Sequence, residues 1–128
     1  MQKSPNKRKD LIFVCHFHKS KRPHYDLRIE MNKVLKSWAV PKQPPLKKGL
    51  KRLAVQVQDH ALSYAKFEGT IPKGQYGAGK VEIWDKGTYS LVEKDKKKIV
   101  VNFKGKKLKG EYCLVLFRPP KNWLFFKK

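Results

Sequence analysis

An all-β fold, a compact single-domain β-barrel with short turns and little helix, is predicted by three observations. From Leu11 onward, short runs rich in Val, Ile, Tyr, Phe and Trp alternate with clusters of Pro, Gly, Asn and Lys. No stretch sustains a 3.6-residue apolar period for three turns. The 128 residues include fifteen aromatics (seven Phe, five Tyr, three Trp), enough to supply one modest core without disulfides or a structural metal.

Met1–Asp10 is polar and basic, contains Pro5 and has no periodicity, so it reads as a basic N-terminal arm, with the barrel domain over 11–128. The apolar runs then predict strands at Leu11–His18, Tyr25–Met31, Val34–Val40, Leu53–Val57, Lys80–Trp84, Thr88–Leu91, Ile99–Phe103, Glu111–Phe117 and Trp123–Phe126. Two long connections remain, Lys42–Leu50 and Phe67–Gly79; long ordered loops in a small domain are usually functional. The charge runs Glu93–Lys98 and Lys104–Lys109 flank a short strand and read as solvated hairpin ends. Trp38, Trp84 and Trp123 fall within strand patterns and are assigned to the core.

Composition narrows the function classes. With 31 Lys plus Arg against 10 Asp plus Glu, the formal charge is +21, which favours polyanionic partners and nucleic acid first. Only five of those cations are Arg (Arg8, Arg22, Arg28, Arg52, Arg118), so each Arg is worth locating. Cys15 and Cys113 lie in apolar runs with no C-x-x-C spacing, arguing against a disulfide framework or zinc finger and for a reducing, cytoplasmic setting. The Leu11–Cys15 stretch is far shorter than the ~20 apolar residues of a spanning helix, so no membrane association is expected. A monomer is the default, since no long exposed apolar strand is evident.

One constellation exceeds what a bland strand needs. In the 25–31 strand the apolar residues Tyr25, Leu27, Ile29 and Met31 share one parity, and His24, Asp26, Arg28 and Glu30 share the other. His16 and His18 also share a parity, and Lys19–Pro23 between them and His24 suits a hairpin. Folding there sets His18 opposite His24 and His16 opposite Asp26, with cross-strand Cβ atoms about 5 Å apart. His18, His24 and Asp26 could then hold a first-row divalent ion such as Mn²⁺, Fe²⁺ or Zn²⁺; the alternative is a patch of satisfied surface histidines. The Gly69–Gly79 loop lacks the G-x-x-x-x-G-K-[ST] spacing, and its glycines are read as permitting tight turns beside the site.

Four blocks in order closely resemble the 3′-phosphoesterase domain of bacterial DNA ligase D and its stand-alone archaeal and bacterial relatives. They are His18-x5-His24-Tyr25-Asp26-Leu27-Arg28-Ile29-Glu30, then Leu35-Lys36-Ser37-Trp38-Ala39-Val40-Pro41-Lys42, then Arg52-Leu53-Ala54-Val55-Gln56-Val57-x-Asp59-His60-x3-Tyr64, and finally Phe67-Glu68-Gly69-x-Ile71-Pro72-x-Gly74-x-Tyr76-Gly77-Ala78-Gly79. The resemblance implies a β-barrel acting on DNA or primer-template 3′ ends bearing a phosphate or a ribonucleotide. It implies a Mn²⁺ cofactor, with Co²⁺ or Zn²⁺ as alternatives, on His18, His24 and Asp26. It assigns catalytic and phosphate-binding positions to Arg28, Arg52, His60 and Tyr64, with Lys42 a further phosphate contact; Glu30 receives no chemical role. Physically, Arg28 and Arg52 offer bidentate donors for phosphate, and His60 has a pKa range suited to proton transfer or charge stabilisation. Without the resemblance, His60 and Tyr64 would read as structural hydrogen-bonding residues.

His16 stands where relatives often carry Gln, which raises the expectation of a fourth imidazole entering the metal site. Only Met1–Asp10 precedes the barrel, where some relatives have a longer arm that contributes to ribonucleoside removal, so the monoesterase activity is the firmer expectation of the two. A separate DNA ligase and a Ku-like end-binding protein would be the partners in end joining. The competing class is a non-catalytic basic barrel that binds single strands, which would need no His-His-Asp cluster.

Overall fold

The computed structural model describes residues 11–128; the N-terminal arm lies outside them. Nine antiparallel strands form one sheet: β1 (Leu11–Lys19), β2 (His24–Met31), β3 (Val34–Val40), β4 (Lys51–Ala61), β5 (Gly69–Ile71), β6 (Gly79–Lys94), β7 (Lys98–Gly105), β8 (Lys109–Arg118) and β9 (Asn122–Lys127). Their order is β1-β2-β3-β4-β9-β8-β7-β6-β5, and β1 also pairs with β6. That pairing closes eight strands into a barrel and leaves β5 as a short flap on β6. Closure removes the exposed edges that a Val- and Phe-rich sheet would otherwise offer for aggregation.

The parity argument holds on the central hairpins. Phe13 and Cys15 of β1 and Leu27, Ile29 and Met31 of β2 point inward, where they meet Trp38, Tyr89, Phe103, Tyr112, Leu114, Trp123 and Phe125. The β2–β3 turn is Asn32–Lys33, both at positive φ (52° and 67°), the geometry of a two-residue hairpin that matches strand twist. Both cysteines are buried and free. Trp38 and Trp123 are core as expected, whereas Trp84 is only partly buried, packing on the core margin against Tyr25 with Lys107 over its ring.

Besides β5, a short strand inside the expected Phe67–Gly79 connection, three elements differ from the sequence expectation. β4 runs from Lys51 to Ala61 rather than over Leu53–Val57, because its polar end still pairs with β3 at His60 and Ala61. Leu62–Lys66 forms a 3₁₀ turn. The strands expected at Lys80–Trp84 and Thr88–Leu91 are one strand, β6, with a bulge where the β1 pairing shifts between Cys15 and His16. Asp85-Lys86-Gly87 reads as a turn, but Gly87 instead lets the β7 backbone approach so closely that a Cβ would collide with the Lys104 carbonyl.

Both charge runs lie at hairpin ends, as expected: β6–β7 turns at Asp95–Lys97 and β7–β8 at Lys106–Leu108. The second carries a buried anion, since Asp85 accepts the backbone N–H groups of Lys106, Lys107 and Leu108 at 2.9, 3.1 and 2.8 Å. Of the long connections, Lys42–Leu50 packs over one barrel end, where Tyr112 Oη donates to the Pro45 carbonyl at 2.7 Å. No helix among the described residues is long and apolar enough to cross a membrane.

Candidate active site and metal centre

The site lies on the outer face of β1–β4, on the parity opposite the core. That face would be solvated on an ordinary barrel; here the 3₁₀ turn and the 67–79 segment cover it. Ala65, Leu62 and Tyr64 pack on Val14 and Leu35, which are fully buried. Burying such side chains is worth about 2 kcal/mol each, which anchors the turn that carries Tyr64. Between the cover and the strands runs a cleft of about 640 Å³, whose lining includes His18, His24, Asp26, Arg28, His60 and Tyr64.

The predicted register holds: His18 pairs with His24 and His16 with Asp26. The ligand atoms of His18, His24 and Asp26 all lie within 4.8 Å of one another. His24 Nε2 is 3.3 Å from Asp26 Oδ1, and His18 Nδ1 is 3.8 Å from Asp26 Oδ2. Each ring is oriented from behind. His18 Nε2–H donates to the Gly77 carbonyl at 2.9 Å, with the Ala78 carbonyl at 3.2 Å, and His24 Nδ1–H donates to the Arg22 carbonyl at 2.9 Å. Carbonyl partners fix a proton on the remote nitrogen and turn the other ring nitrogen toward Asp26, the usual outer support of metal-binding histidines. Two imidazoles and one carboxylate so arranged fit a first-row divalent ion. Burial alone would raise the Asp26 carboxyl, but its bond to His24 and the charges of Arg28 and the histidines hold it below the ordinary range. The same carboxylate raises His24.

Arg28, 4% exposed, is tethered along its whole guanidinium. Nε donates to His16 Nδ1 at 3.2 Å, Nη1 donates to Ser37 Oγ at 2.9 Å and His60 Nδ1 at 3.1 Å, and Nη2 lies 3.3 Å from Asp26 Oδ2. The Tyr64 ring covers it, 4.9 Å from centroid to Cζ. Arg can only donate, so His60 Nδ1 is the acceptor and its proton sits on Nε2; a bond from Nδ1 to the Gln58 carbonyl at 3.2 Å is the competing arrangement. Burial first, then Arg28, keeps the His60 pKa below its ordinary value.

His16 does not join the metal cluster. It is fully buried behind Arg28, and its Nε2–H donates to the Phe67 carbonyl at 3.0 Å. Burial, then Arg28, lowers it to about 4. The expectation of a fourth imidazole is therefore corrected: both ring nitrogens are taken, by the Phe67 carbonyl and the Arg28 guanidinium, and the ring lies outside the His18, His24 and Asp26 group. Glu30 is buried and accepts from the Ile12 backbone N–H at 3.0 Å.

Lys42 and Arg52 do not line the cleft. Arg52 has the parity opposite Val57, which does line it, and its Nε donates to the Gln43 carbonyl at 2.8 Å. Lys42 is exposed beside Gln43. Extending the Ala39–Val55 register puts both near one end of the cleft. Sequence reasoning missed Ser37 as the Arg28 partner, although a lone Ser in an apolar strand opposite Arg28 was the available signal. It also missed the carbonyls of Arg22, Phe67, Gly77 and Ala78, which no side-chain pattern reports. The glycine reading holds for the loop: Gly77 turns at positive φ (77°), and Gly79 (φ 123°) sits against the Lys19 backbone where a Cβ would collide.

Compared with known protein families, residues 16–116 match the DNA Ligase D 3′-phosphoesterase domain. The chain is 47% identical over 107 residues to a multifunctional non-homologous end joining DNA repair protein LigD of Mycobacterium tuberculosis, covering 80% of this chain. It is 48% identical over 110 residues to the LigD protein of Pseudomonas aeruginosa, covering 82% of this chain, and 42% identical over 123 residues to that of Mycolicibacterium smegmatis, covering 88%. The matched region is 14%, 13% and 16% of those relatives, so the chain corresponds to a small part of their length.

Proposed function

The chain belongs to the DNA ligase D 3′-phosphoesterase domain family, and from that membership and its cleft we propose a metal-dependent phosphoesterase that heals 3′ ends of DNA or primer strands. As a diesterase it removes a 3′-terminal ribonucleoside and leaves a 3′-phosphate; as a monoesterase it hydrolyses that phosphate to leave a 3′-OH. The observation that carries this reading is the Asp26 carboxylate, shared between two histidines on one side and the Arg28 guanidinium on the other. A metal trio and a cationic phosphate-binding group thus meet at one carboxylate.

His18, His24 and Asp26 would hold the ion, with Mn²⁺ favoured over Co²⁺ or Zn²⁺ by the family resemblance. When bound, such an ion supplies Lewis-acid polarisation of a phosphoryl oxygen and a lowered pKa for water. The chain's own groups do the rest. Arg28 is held in one orientation by His16, Ser37, His60 and Asp26, so the one N–H left on Nη2 and the guanidinium charge meet a phosphoryl oxygen without reorganisation. His60, neutral with its proton on Nε2, donates a hydrogen bond to the phosphoryl group, and its lowered pKa favours this over proton donation. Tyr64 covers Arg28 and keeps water from it. Lys42 and Arg52, outside the cleft, contact the phosphate backbone upstream; replacing either by Ala should weaken strand binding and reduce its salt slope by about one. An unchanged slope would remove them from the interface. In end joining, a separate ligase and a Ku-like protein would act with it.

The test is a labelled primer-template ending in a 3′-phosphate or one 3′-ribonucleotide, incubated with protein and Mn²⁺, with EDTA and His24→Ala as controls. The expected result is a 3′-OH product that both controls abolish. Binding without conversion would mean a non-catalytic basic barrel.

A further inference from the structure

We propose that Tyr76 is the platform on which the nucleobase of the 3′-terminal nucleotide stacks, an inference that rests on the phosphoesterase reading and supplies the part of the substrate that reading leaves unheld. The metal trio, Arg28 and His60 all address phosphate; none of them grips a base.

Tyr76 lines the same cleft and is 91% exposed. Isolated exposed aromatics are ordinary on a surface, and the distinction here is what the other rings are doing. Tyr64 is stacked on Phe67 (5.0 Å, 12°), lies against His60 at 4.6 Å and covers Arg28, so its faces are committed. Trp84 is taken by Tyr25 and Lys107. Among the described residues the other exposed aromatic is Phe117, 46% exposed on β8 and not part of the cleft.

The position of Tyr76 is also tied to the chemistry. Two successive turns bracket it, Gln75 N–H donating to the Pro72 carbonyl at 3.3 Å and Ala78 N–H to the Gln75 carbonyl at 3.1 Å. The next residue, Gly77, gives its carbonyl to the His18 ring. The backbone of the platform is therefore fastened to a metal ligand while its side chain projects into solvent at the cleft. A tyrosine has only two side-chain torsions to order, so stacking costs little entropy. Every base has a π-face, so the contact would be tolerant of sequence, as end healing requires.

The experiment uses the full chain in EDTA and a strand whose 3′-terminal nucleotide carries 2-aminopurine and a 3′-phosphate. Wild type should quench the 2-aminopurine on binding; Tyr76→Ala should lose the quench and bind about 10-fold more weakly, within the range of base–aromatic stacking. Tyr76→Phe and Tyr76→Trp should retain both. On a strand with an abasic terminal residue, wild type and Tyr76→Ala should bind alike. Equal quenching by Tyr76→Ala, or the same loss on the abasic strand, overturns the proposal. Mn²⁺ affinity of the variant reports whether the Gly77–His18 anchor survived; if it falls, Tyr76→Leu against Tyr76→Phe decides on the same two strands. Quenching that depends on Tyr76 in a protein that releases no phosphate with any divalent ion would sink the phosphoesterase reading and keep the platform. Turnover with no Tyr76 dependence would do the reverse.

Discussion

The His16 imidazole accepts a hydrogen bond from Arg28 Nε at 3.2 Å, with both side chains buried. Because His16 Nε2–H is committed to the Phe67 carbonyl, Nδ1 can only be the acceptor, and the ring acts as a fixed strut between the cover segment and the guanidinium. A glutamine can play the same part, its amide N–H donating to a carbonyl and its oxygen accepting from Arg. His16→Gln should therefore keep most of the turnover. His16→Leu leaves a buried guanidinium N–H unpaired, at a cost of about 1–3 kcal/mol, and should lower kcat roughly 10- to 100-fold. Steady-state kinetics on a 3′-phosphate end check this; equal activity of the Leu variant would show that Arg28 needs no strut.

On the proposed function, the site divides into ion-holding and phosphate-holding halves that meet at Asp26. Asp26→Asn and His24→Ala should each lower divalent-metal affinity by more than about 10-fold, since each removes a ligand from a three-residue set. His60→Ala should leave metal affinity intact and lower turnover by roughly 10²-fold, as expected for loss of a preorganised donor to the reacting phosphoryl group. Calorimetric titration with Mn²⁺ alongside turnover separates the two; a metal defect in His60→Ala would merge the halves.

His60 also makes a pH prediction. Burial, then the Arg28 charge, favours its neutral form in the folded protein, so its folded pKa lies below the ordinary 6.5. The sign follows: its contribution to stability is fully present above the unfolded pKa and is lost as pH falls through the folded one. In metal-free protein, NMR titration should find the His60 midpoint below 6.5. Arg28→Met should move it upward, though not fully, because burial remains. A midpoint above 6.5 would mean that the Gln58 carbonyl holds the Nδ1 proton.

The barrel and the convergence of His18, His24 and Asp26 were legible in the sequence because both depend on period-two parity and hairpin register. Leu27, Ile29 and Met31 face the core while His24, Asp26 and Arg28 face out, and the polar Lys19–Pro23 connection folds His18 back onto His24. Gripping of the rings was not legible, since it comes from the carbonyls of Arg22, Phe67 and Gly77, which carry no residue signature. The role of His16 was missed for a related reason. Parity places it on the site face, but only the covering segment, more than fifty residues away in the chain, decides that it points to Phe67 and Arg28 rather than to an ion. That Arg52 does not line the cleft follows from parity, which puts it on the opposite face from Val57.

The continuous β6 was hidden by Asp85, and that residue makes the last prediction. Asp85-Lys86-Gly87 has turn composition, yet the strand runs through it and the Asp85 carboxylate turns aside to gather three backbone N–H groups of the β7–β8 hairpin. The carboxylate is buried, and bonds from amides to a charged acceptor are stronger than neutral ones. Asp85→Ala would leave three amides to find other partners and should cost about 3 kcal/mol of folding stability, a large share of a small domain's total. Asp85→Asn keeps one acceptor oxygen and should recover part of that loss. Urea unfolding of the three proteins measures it, with equal slopes required so that the shift in midpoint reports stability alone. Because Asp85 lies outside the cleft lining, the hairpin should loosen without loss of Mn²⁺ affinity in the folded fraction. A variant as stable as wild type would mean that water replaces the carboxylate on those amides at no cost.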